Sequence, residues 1–204
     1  MDMGLERLSN AISDMGNLAQ ESVMKAIQAY AKGQRITQEA LDRAHQLSIL
    51  SNEVEELAVD LLARYQPVAT DLRFIKSCLE ITYGFSRFGR YAYDIAQVLE
   101  IYGDLSECDK SVVEGLSARV AQMIQTSIQS FKTRDMKLAR SLRQEDDQVD
   151  RTYLGYMKQI LQGKPVPVKC ALASTLVLRY LERIADHACY IGDSVIYIVT
   201  GSKI

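Results

Sequence analysis

Proline occurs at only two places in this chain, and this sparsity is the feature that most limits its fold. The three prolines, Pro67, Pro165 and Pro167, mark junctions between long stretches whose apolar residues recur with a period of 3.6. No stretch has the alternation of a strand. The pattern therefore predicts an all-α protein of six long antiparallel helices with short connections. The predicted helices span about 3–32, 38–65, 68–102, 107–132, 135–162 and 167–200.

Candidate capping residues support several of these boundaries. Thr37 precedes the second predicted helix, and Thr133 is the expected cap of the fifth. Ser106 and Asp109 have capping-box spacing before the fourth helix, with the shorter acid at the last position.

The three-helix pattern occurs twice, which predicts an internal duplication. Placing Arg87 on Arg183, 96 residues later, aligns residues 85–90 with residues 181–186. Identity between the halves is low, but the order of helices and the apolar positions recur. We expect two tandem three-helix bundles, residues 1–103 and 104–204.

Two carboxylate pairs share a spacing of four residues, and each pair occupies one face of a helix. A like-charge pair of this kind destabilises an isolated helix by roughly 0.2–0.5 kcal/mol, so a cation should offset the repulsion. The fifth and sixth helices are expected to be antiparallel neighbours. Together their acids would form an oxygen-rich site suited to Fe, Mn, Mg or Zn. The candidate ligands are Asp146, Asp150, Glu182 and Asp186, with Asp147 and Glu145 as additional candidates.

Arginines at salt-bridge spacing offer a second explanation of the same acids. Arg179 lies three residues before Glu182, and Arg183 lies three before Asp186. Arg143 and Arg151 stand at similar spacings from the acids of the fifth helix. A solvated face of ion pairs therefore accounts for the charges without a metal, and spacing alone leaves both interpretations open.

Bulk properties and missing motifs exclude several classes of function. A net charge of −2 and a pI near 5.8 leave no basic excess for binding nucleic acid. The longest apolar tract is interrupted by charged residues and is not expected to span a membrane. The first residues do not have the pattern of a signal peptide, so we expect a cytoplasmic protein. No nucleophile elbow, P-loop or zinc-protease helix is present, and no enzyme activity is expected.

The histidines and cysteines are expected to have structural roles. His187 points about 100° away from Asp186 on the helix, so we expect it to pack near the acids instead of ligating, and His45 is expected at the surface. The four cysteines are Cys78, Cys108, Cys170 and Cys189. They include no CxxC pair, so buried free thiols are predicted and a disulfide is not.

Two segments resemble signatures of the PhoU family. Residues 67–73, Pro-Val-Ala-Thr-Asp-Leu-Arg, resemble the segment that opens the third helix in that family. Residues 182–188, Glu-Arg-Ile-Ala-Asp-His-Ala, are similar to its second-repeat signature. The resemblance implies a regulator of phosphate uptake and phosphate-responsive signalling that contacts a transporter ATPase subunit or a sensor histidine kinase. It also implies an iron or zinc cluster held by acidic motifs on the second and third helix of each repeat.

The first half departs from the metal-binding pattern of the family. Its equivalent positions are Ser51/Glu55 and Ser86/Arg90, and an arginine guanidinium cannot ligate a metal. We therefore expect a cluster in the second repeat only and expect Arg90 to pair with Glu55 or Asp94. A further departure is Tyr190, where the family usually has asparagine.

The sequence leaves two other functional hypotheses open, and it also predicts a homodimer. The chain could be a metal-free adaptor whose acidic face binds a basic partner, or an oxygen-activating di-metal enzyme, although the Glu-x-x-His motifs of such enzymes are missing. An apolar ridge near the C-terminus is an argument for a homodimer. The ridge consists of Val195, Ile196, Ile198 and Val199.

Overall fold

Six long helices follow one another in the computed structural model, which describes residues 1–202. The helices are α1 (Asp2–Lys32), α2 (Thr37–Tyr65), α3 (Ala69–Tyr102), α4 (Ser111–Thr133), α5 (Met136–Leu161) and α6 (Val168–Thr200). The described residues contain no strand, so the all-α prediction is confirmed. The boundary at residues 103/104 stays a prediction, and residues 203–204 of the second repeat lie outside the described part of the chain.

Helices α3 and α6 pack side by side at the centre and run in opposite directions. Tyr91 of α3 stacks on Tyr180 near the middle of α6, whereas Arg73 at the start of α3 lies beside Gly201 after the end of α6. Helix α2 flanks α3, and α5 flanks α6. Helices α1 and α4 contact each other and pack behind α3 and α6. The order α2–α3–α6–α5 therefore forms a layer with one face free of α1 and α4.

Contacts between α3 and α6 recur at positions 96 residues apart, since Tyr91 meets Tyr180 and Gly84 lies beside the carbonyl of His187, and we infer an approximate twofold rotation between the halves. Such a rotation must exchange α3 with α6 and reverse their direction, so its axis passes between them and stands perpendicular to the layer. Equivalent residues of the two repeats consequently lie on the same face. The core around this axis is fully buried and includes Phe85 and Phe88, whose rings meet edge to face at 5.8 Å.

The predicted start of α4 and the predicted cap of α5 are wrong. Helix α4 begins at Ser111 instead of about residue 107, because Asp104 and Asp109 each accept a hydrogen bond from a backbone amide two residues later and hold a turn there. Thr133 is the last residue of α4 and does not cap α5. The cap is Asp135, which accepts from the amides of residues 137 and 138.

The prediction of four free thiols is also wrong. Cys108 and Cys170 form a disulfide with 5.4 Å between their Cα atoms, while Cys78 and Cys189 are buried free thiols as expected. The partners are 62 residues apart in sequence. The antiparallel packing of α3 and α6 brings them together, because it places the connection after α3 beside the first turn of α6.

The apolar ridge expected to drive dimerisation is mostly internal. Val195, Ile196 and Ile198 are at most 3% exposed because α6 packs against α3, α4 and α5. Val199 is 43% exposed. The ridge therefore gives no argument for a homodimer.

Candidate functional site on the α5–α6 face

Acidic side chains of α5 and α6 converge on the open face of the helix layer. Asp146 and Asp150 lie one turn apart on α5, and Glu182 and Asp186 lie one turn apart on α6. The spacing of four residues aligns each pair along one face, as the sequence predicted. Asp146, Glu182 and Asp186 are buried or half-buried, whereas Asp150 is exposed. We call these four residues the acidic patch.

The charges of the acidic patch act on one another. Burial raises the pKa of Asp146 to about 6, and the charges of Asp186 and Asp150 contribute to this increase. Burial also raises the pKa of Glu182 and of Asp186, with further increases from neighbouring acids. The carboxylates are therefore close enough to repel one another across the α5–α6 interface.

Arginines of α6 compensate part of this charge. Arg179 donates to Glu182 at 2.5 Å, and Arg183 donates to Asp186 at 3.4 Å. Both pairs have the i, i+3 spacing that the ion-pair interpretation predicted. Compensation is incomplete, because Asp146 Oδ1 and Glu182 Oε2 are buried and accept no hydrogen bond from any described residue, although Arg183 Nε lies 3.9 Å from Glu182 Oε2. Buried oxygens without a hydrogen bond are costly, so these two atoms are available to a cation.

Two other acids of α5, Asp147 and Glu145, contribute less to the acidic patch. Asp147 is exposed at the edge of the patch, and its side chain makes no ion pair or hydrogen bond with the residues that the structure describes. Glu145 turns away to pair with Arg119 of α4. Within residues 1–202, no three His, Cys, Asp or Glu side chains are already arranged to hold a metal ion. The donor set nevertheless suits a hard or borderline cation, because all four groups of the acidic patch offer carboxylate oxygens.

The equivalent position of the first repeat is built differently. Ser51 donates to Glu55 at 3.2 Å, and Ser86 donates to the backbone carbonyl of residue 83. Arg90 pairs with Asp94 at 3.1 Å, which confirms one of its two predicted partners. An internal ion pair thus occupies the place that a second acidic patch would have.

His187 packs among aromatic rings, as expected for a residue that does not ligate. Its ring lies 5.8 Å from that of Tyr83, 6.0 Å from Tyr91 and 5.6 Å from Tyr190. Burial lowers the pKa of His187 to about 4, with the charges of nearby arginines adding to the effect. The imidazole is therefore neutral at physiological pH. His45 is exposed, in agreement with its prediction.

A groove beside the acidic patch was missed by sequence reasoning. It lies between α3 and α6, has a volume of about 550 Å³, and is lined chiefly by Tyr83, Tyr190 and Tyr197. The seven-residue spacing of Tyr190 and Tyr197 was a visible signal, because residues seven apart share a helix face. Tyr83 joins them only through the packing of α3 on α6.

Both repeats of the chain match a known protein family. The model of the PhoU domain matches twice, at residues 12–99 and 113–195. A phosphate-specific transport system accessory protein PhoU homolog from Pseudomonas aeruginosa is 30% identical over 98% of this chain and 85% of its own length. One from Methanothermobacter thermautotrophicus is 32% identical over 74% of this chain and 71% of its own length.

Solved structures show the same architecture. The crystal structure of PhoU from Pseudomonas aeruginosa matches 98% of this chain and 99% of its own, with a TM-score of 0.89 and 29% identity. The phosphate transport system regulatory protein PhoU from Streptococcus pneumoniae has the same fold, with a TM-score of 0.90 over 100% of this chain and 98% of its own at 21% identity. On these matches, which extend over both repeats, the chain belongs to the PhoU family.

Proposed function

We propose that this protein is a non-enzymatic regulator of phosphate uptake and phosphate-responsive signalling. The family match over both repeats carries this proposal, and relatives named as phosphate-specific transport system accessory proteins support it. The protein would act in the cytoplasm on a membrane-associated partner, either the ATPase subunit of a phosphate transporter or a sensor histidine kinase. In the described residues, no helix has the length and apolar character required to cross a membrane.

The acidic patch is the proposed site of regulation, with iron or zinc as its cofactor. Asp146, Asp150, Glu182 and Asp186 would supply the oxygen ligands, and Asp147 would lie at the edge of the site. The two buried oxygens without hydrogen bonds and the mutual repulsion of the acids support this assignment. A bound cation would neutralise the patch and would offer an attachment point for phosphate. The carboxylates of α5 and α6 would hold the cation between these two helices.

Metal analysis of the purified protein tests the site. Protein prepared without chelator is expected to contain iron or zinc, and Asp186→Ala is expected to lose it because one ligand and one negative charge are removed. The matched control is Arg90→Ala, at the twofold-related position, which should retain the metal. As a second readout, added metal at about 100 times its dissociation constant should stabilise the wild type by about 2.7 kcal/mol. Equal metal in wild type and Asp186→Ala would refute the site.

A metal-free adaptor is the alternative, and the arginine pairs favour it. Arg179 and Arg183 already bind two of the four acids, so the patch has cationic partners without a metal. Electrostatic attraction to a basic partner would then supply specificity. This alternative predicts partner binding that weakens with salt and is unchanged by a chelator, whereas metal-dependent binding should be lost on chelation.

The regulatory partner can be identified directly. Affinity capture from the native cell at low and at high phosphate is expected to recover a transporter ATPase subunit or a sensor kinase in a phosphate-dependent amount. Metal content should be measured on the same samples. Recovery of neither partner at either phosphate concentration would contradict the proposed function.

A further inference from the structure

The groove between α3 and α6 has aromatic walls that are open to solvent. Tyr83 and Tyr190 are each 58% exposed, although they lie beside a central helix pair whose other large side chains are mostly buried. Tyr197, Glu80 and Asp193 also line it. We call these five residues the tyrosine groove.

Close packing of the two helices forms the floor of the tyrosine groove. A Cβ atom at Gly84 would lie 3.0 Å from Ile191 Cγ1, so the absence of a side chain allows α3 and α6 to approach there. The ring of His187 contacts those of Tyr83 and Tyr190 edge to face. Its ring nitrogens make no hydrogen bond to any residue in the described part of the chain. Packing of these rings supports the floor of the groove, and the hydrogen bond from Ser194 of α6 to Glu80 of α3 joins its two walls.

The twofold-related side of the molecule has different residues at the equivalent positions. Tyr180 occupies the place equivalent to Gly84, 96 residues apart, and its ring stacks on Tyr91. Arg179 and Asp94 stand where the groove has Tyr83 and Tyr190. The tyrosine groove is therefore a property of one side and does not follow from the duplicated scaffold.

Two carboxylates line the groove and, among the described residues, no lysine or arginine does, and each carboxylate pairs with one basic residue that stands outside the lining. Asp193 Oδ2 accepts from Arg143 at 2.6 Å, while no residue in the 1–202 range donates to its Oδ1. Glu80 accepts from Lys76 at 2.7 Å and from Ser194 at 3.2 Å. The acidic patch continues this negative surface along α6. Lys76 Nζ lies 5.1 Å from the centre of the Tyr197 ring, which shows that a ring of the groove already faces a cation.

We propose that the tyrosine groove binds an arginine side chain from a basic helix of a partner protein. A guanidinium is flat, stacks on tyrosine faces and donates two hydrogen bonds to a carboxylate such as that of Asp193, which a lysine ammonium does not reproduce. A helix fits the space, because the groove runs along two packed helices that present side-chain ridges. The inference rests on the proposed adaptor function for the identity of its partner, but it uses none of the proposed metal ligands.

Peptide binding to chelator-treated protein tests this inference. The probe is a fluorescein-labelled, alanine-rich helical peptide with one central arginine, and binding is followed by fluorescence anisotropy. Two further peptides replace the arginine with lysine or with citrulline, which has the same shape without the charge. The arginine peptide is expected to bind saturably and about tenfold more tightly than the citrulline peptide, with the lysine peptide between them. Equal affinities, or no saturable binding of the arginine peptide, would overturn the proposal.

Variants assign the binding to the groove. Tyr190→Ala and Asp193→Asn are each expected to weaken the arginine peptide about tenfold, whereas Tyr190→Phe should retain most of the affinity because it keeps the aromatic face. The matched control is Tyr65→Ala, since Tyr65 is 53% exposed and does not line the groove. Circular dichroism and the thermal midpoint confirm folding of each variant.

The outcomes separate this inference from the proposed function. If Tyr65→Ala weakens the peptide as much as Tyr190→Ala, binding lies outside the groove and the inference fails. Metal analysis and phosphate-dependent capture of partners do not involve the peptide. If the peptide does not bind in the groove, the proposed regulatory function is unaffected. If the peptide binds but metal content and partner capture show no effect, only the proposed regulatory function is refuted.

Discussion

His187 shows how the surroundings of one residue control its charge. The imidazole is half-buried among Tyr83, Tyr91 and Tyr190, and this burial lowers its pKa to about 4. The charges of nearby arginines act in the same direction. Because the folded state prefers the neutral ring, the contribution of His187 to stability is present above its usual pKa of about 6.5 and is lost as the pH falls towards 4.

Replacing His187 with phenylalanine is expected to remove this pH dependence while keeping a ring in the aromatic cluster. Between pH 7 and pH 4, the free energy of unfolding of the wild type should fall relative to His187→Phe by about 2–3 kcal/mol. Raised pKa values at Asp146, Glu182 and Asp186 act with the opposite sign, but both proteins retain them, so the difference isolates the histidine. Urea denaturation at several pH values provides the measurement, and parallel pH profiles would contradict the expectation.

The sequence predicted most parts of the site that depend on one helix at a time, but Arg143 pairs with Asp193 of α6 and not with an acid of its own helix. The spacing of Asp146/Asp150 and of Glu182/Asp186 places each pair on one face, and no tertiary information was needed. The arginine pairs of α6 followed from the same rule. The tyrosine groove was not predicted, because the side chains of α3 and α6 that line it meet only through helix packing.

At the scale of the helix, glycines decide how closely neighbouring elements approach. Gly192 of α6 faces α5, and a Cβ there would lie 2.9 Å from the backbone oxygen of Ala139 and 2.9 Å from Leu142 Cδ1. A Cβ at Gly155 of α5 would meet no heavy atom of the described residues within 4 Å. The first glycine is required by packing, and the second is only a weak helix former.

The two glycines are expected to respond to alanine in opposite ways. Gly192→Ala should destabilise the protein by about 1–3 kcal/mol, because the new methyl group forces α5 away from α6. Gly155→Ala should stabilise it by about 0.5–1 kcal/mol, because the unfolded chain loses conformational freedom without a clash in the fold. Chemical denaturation of both variants checks this, and unchanged or increased stability of Gly192→Ala would show that the α5–α6 contact does not require glycine.

The presence of each helix was easier to predict than the residues at which it begins and ends. All six helices were predicted from apolar periodicity, which reports on the buried face of each helix. The start of α4 was misplaced because several residues before it compete as caps. Asp104 and Asp109 both accept from backbone amides, yet neither caps α4, which begins at Ser111 after Lys110.

At the scale of the whole molecule, one covalent bond ties the connection between the repeats to the central helix of the second. The Cys108–Cys170 disulfide joins the segment after α3 to the first turn of α6, and Lys169 reinforces it by donating to the Asp104 carbonyl at 2.5 Å. A cross-link over 62 residues restricts the unfolded chain strongly.

Breaking this disulfide is expected to lower the free energy of unfolding by about 2–4 kcal/mol. Cys108→Ser should therefore be less stable than the wild type without reductant, and the two should become similar in dithiothreitol. Thiol titration of the unfolded wild type should find two free thiols before reduction and four after it. Four thiols before reduction would contradict the bond.

The twofold rotation between the repeats has a consequence for assembly. The rotation maps the open face of the layer onto itself, so both repeats present this face to a partner from the same direction. The acidic patch belongs to the second repeat alone, and the tyrosine groove lies on one side of the axis only. A homodimeric partner with two identical docking surfaces would consequently meet unlike halves. One copy of this chain would then contact the two identical subunits of that partner through different surfaces, and the complex would be asymmetric although the partner alone is symmetric.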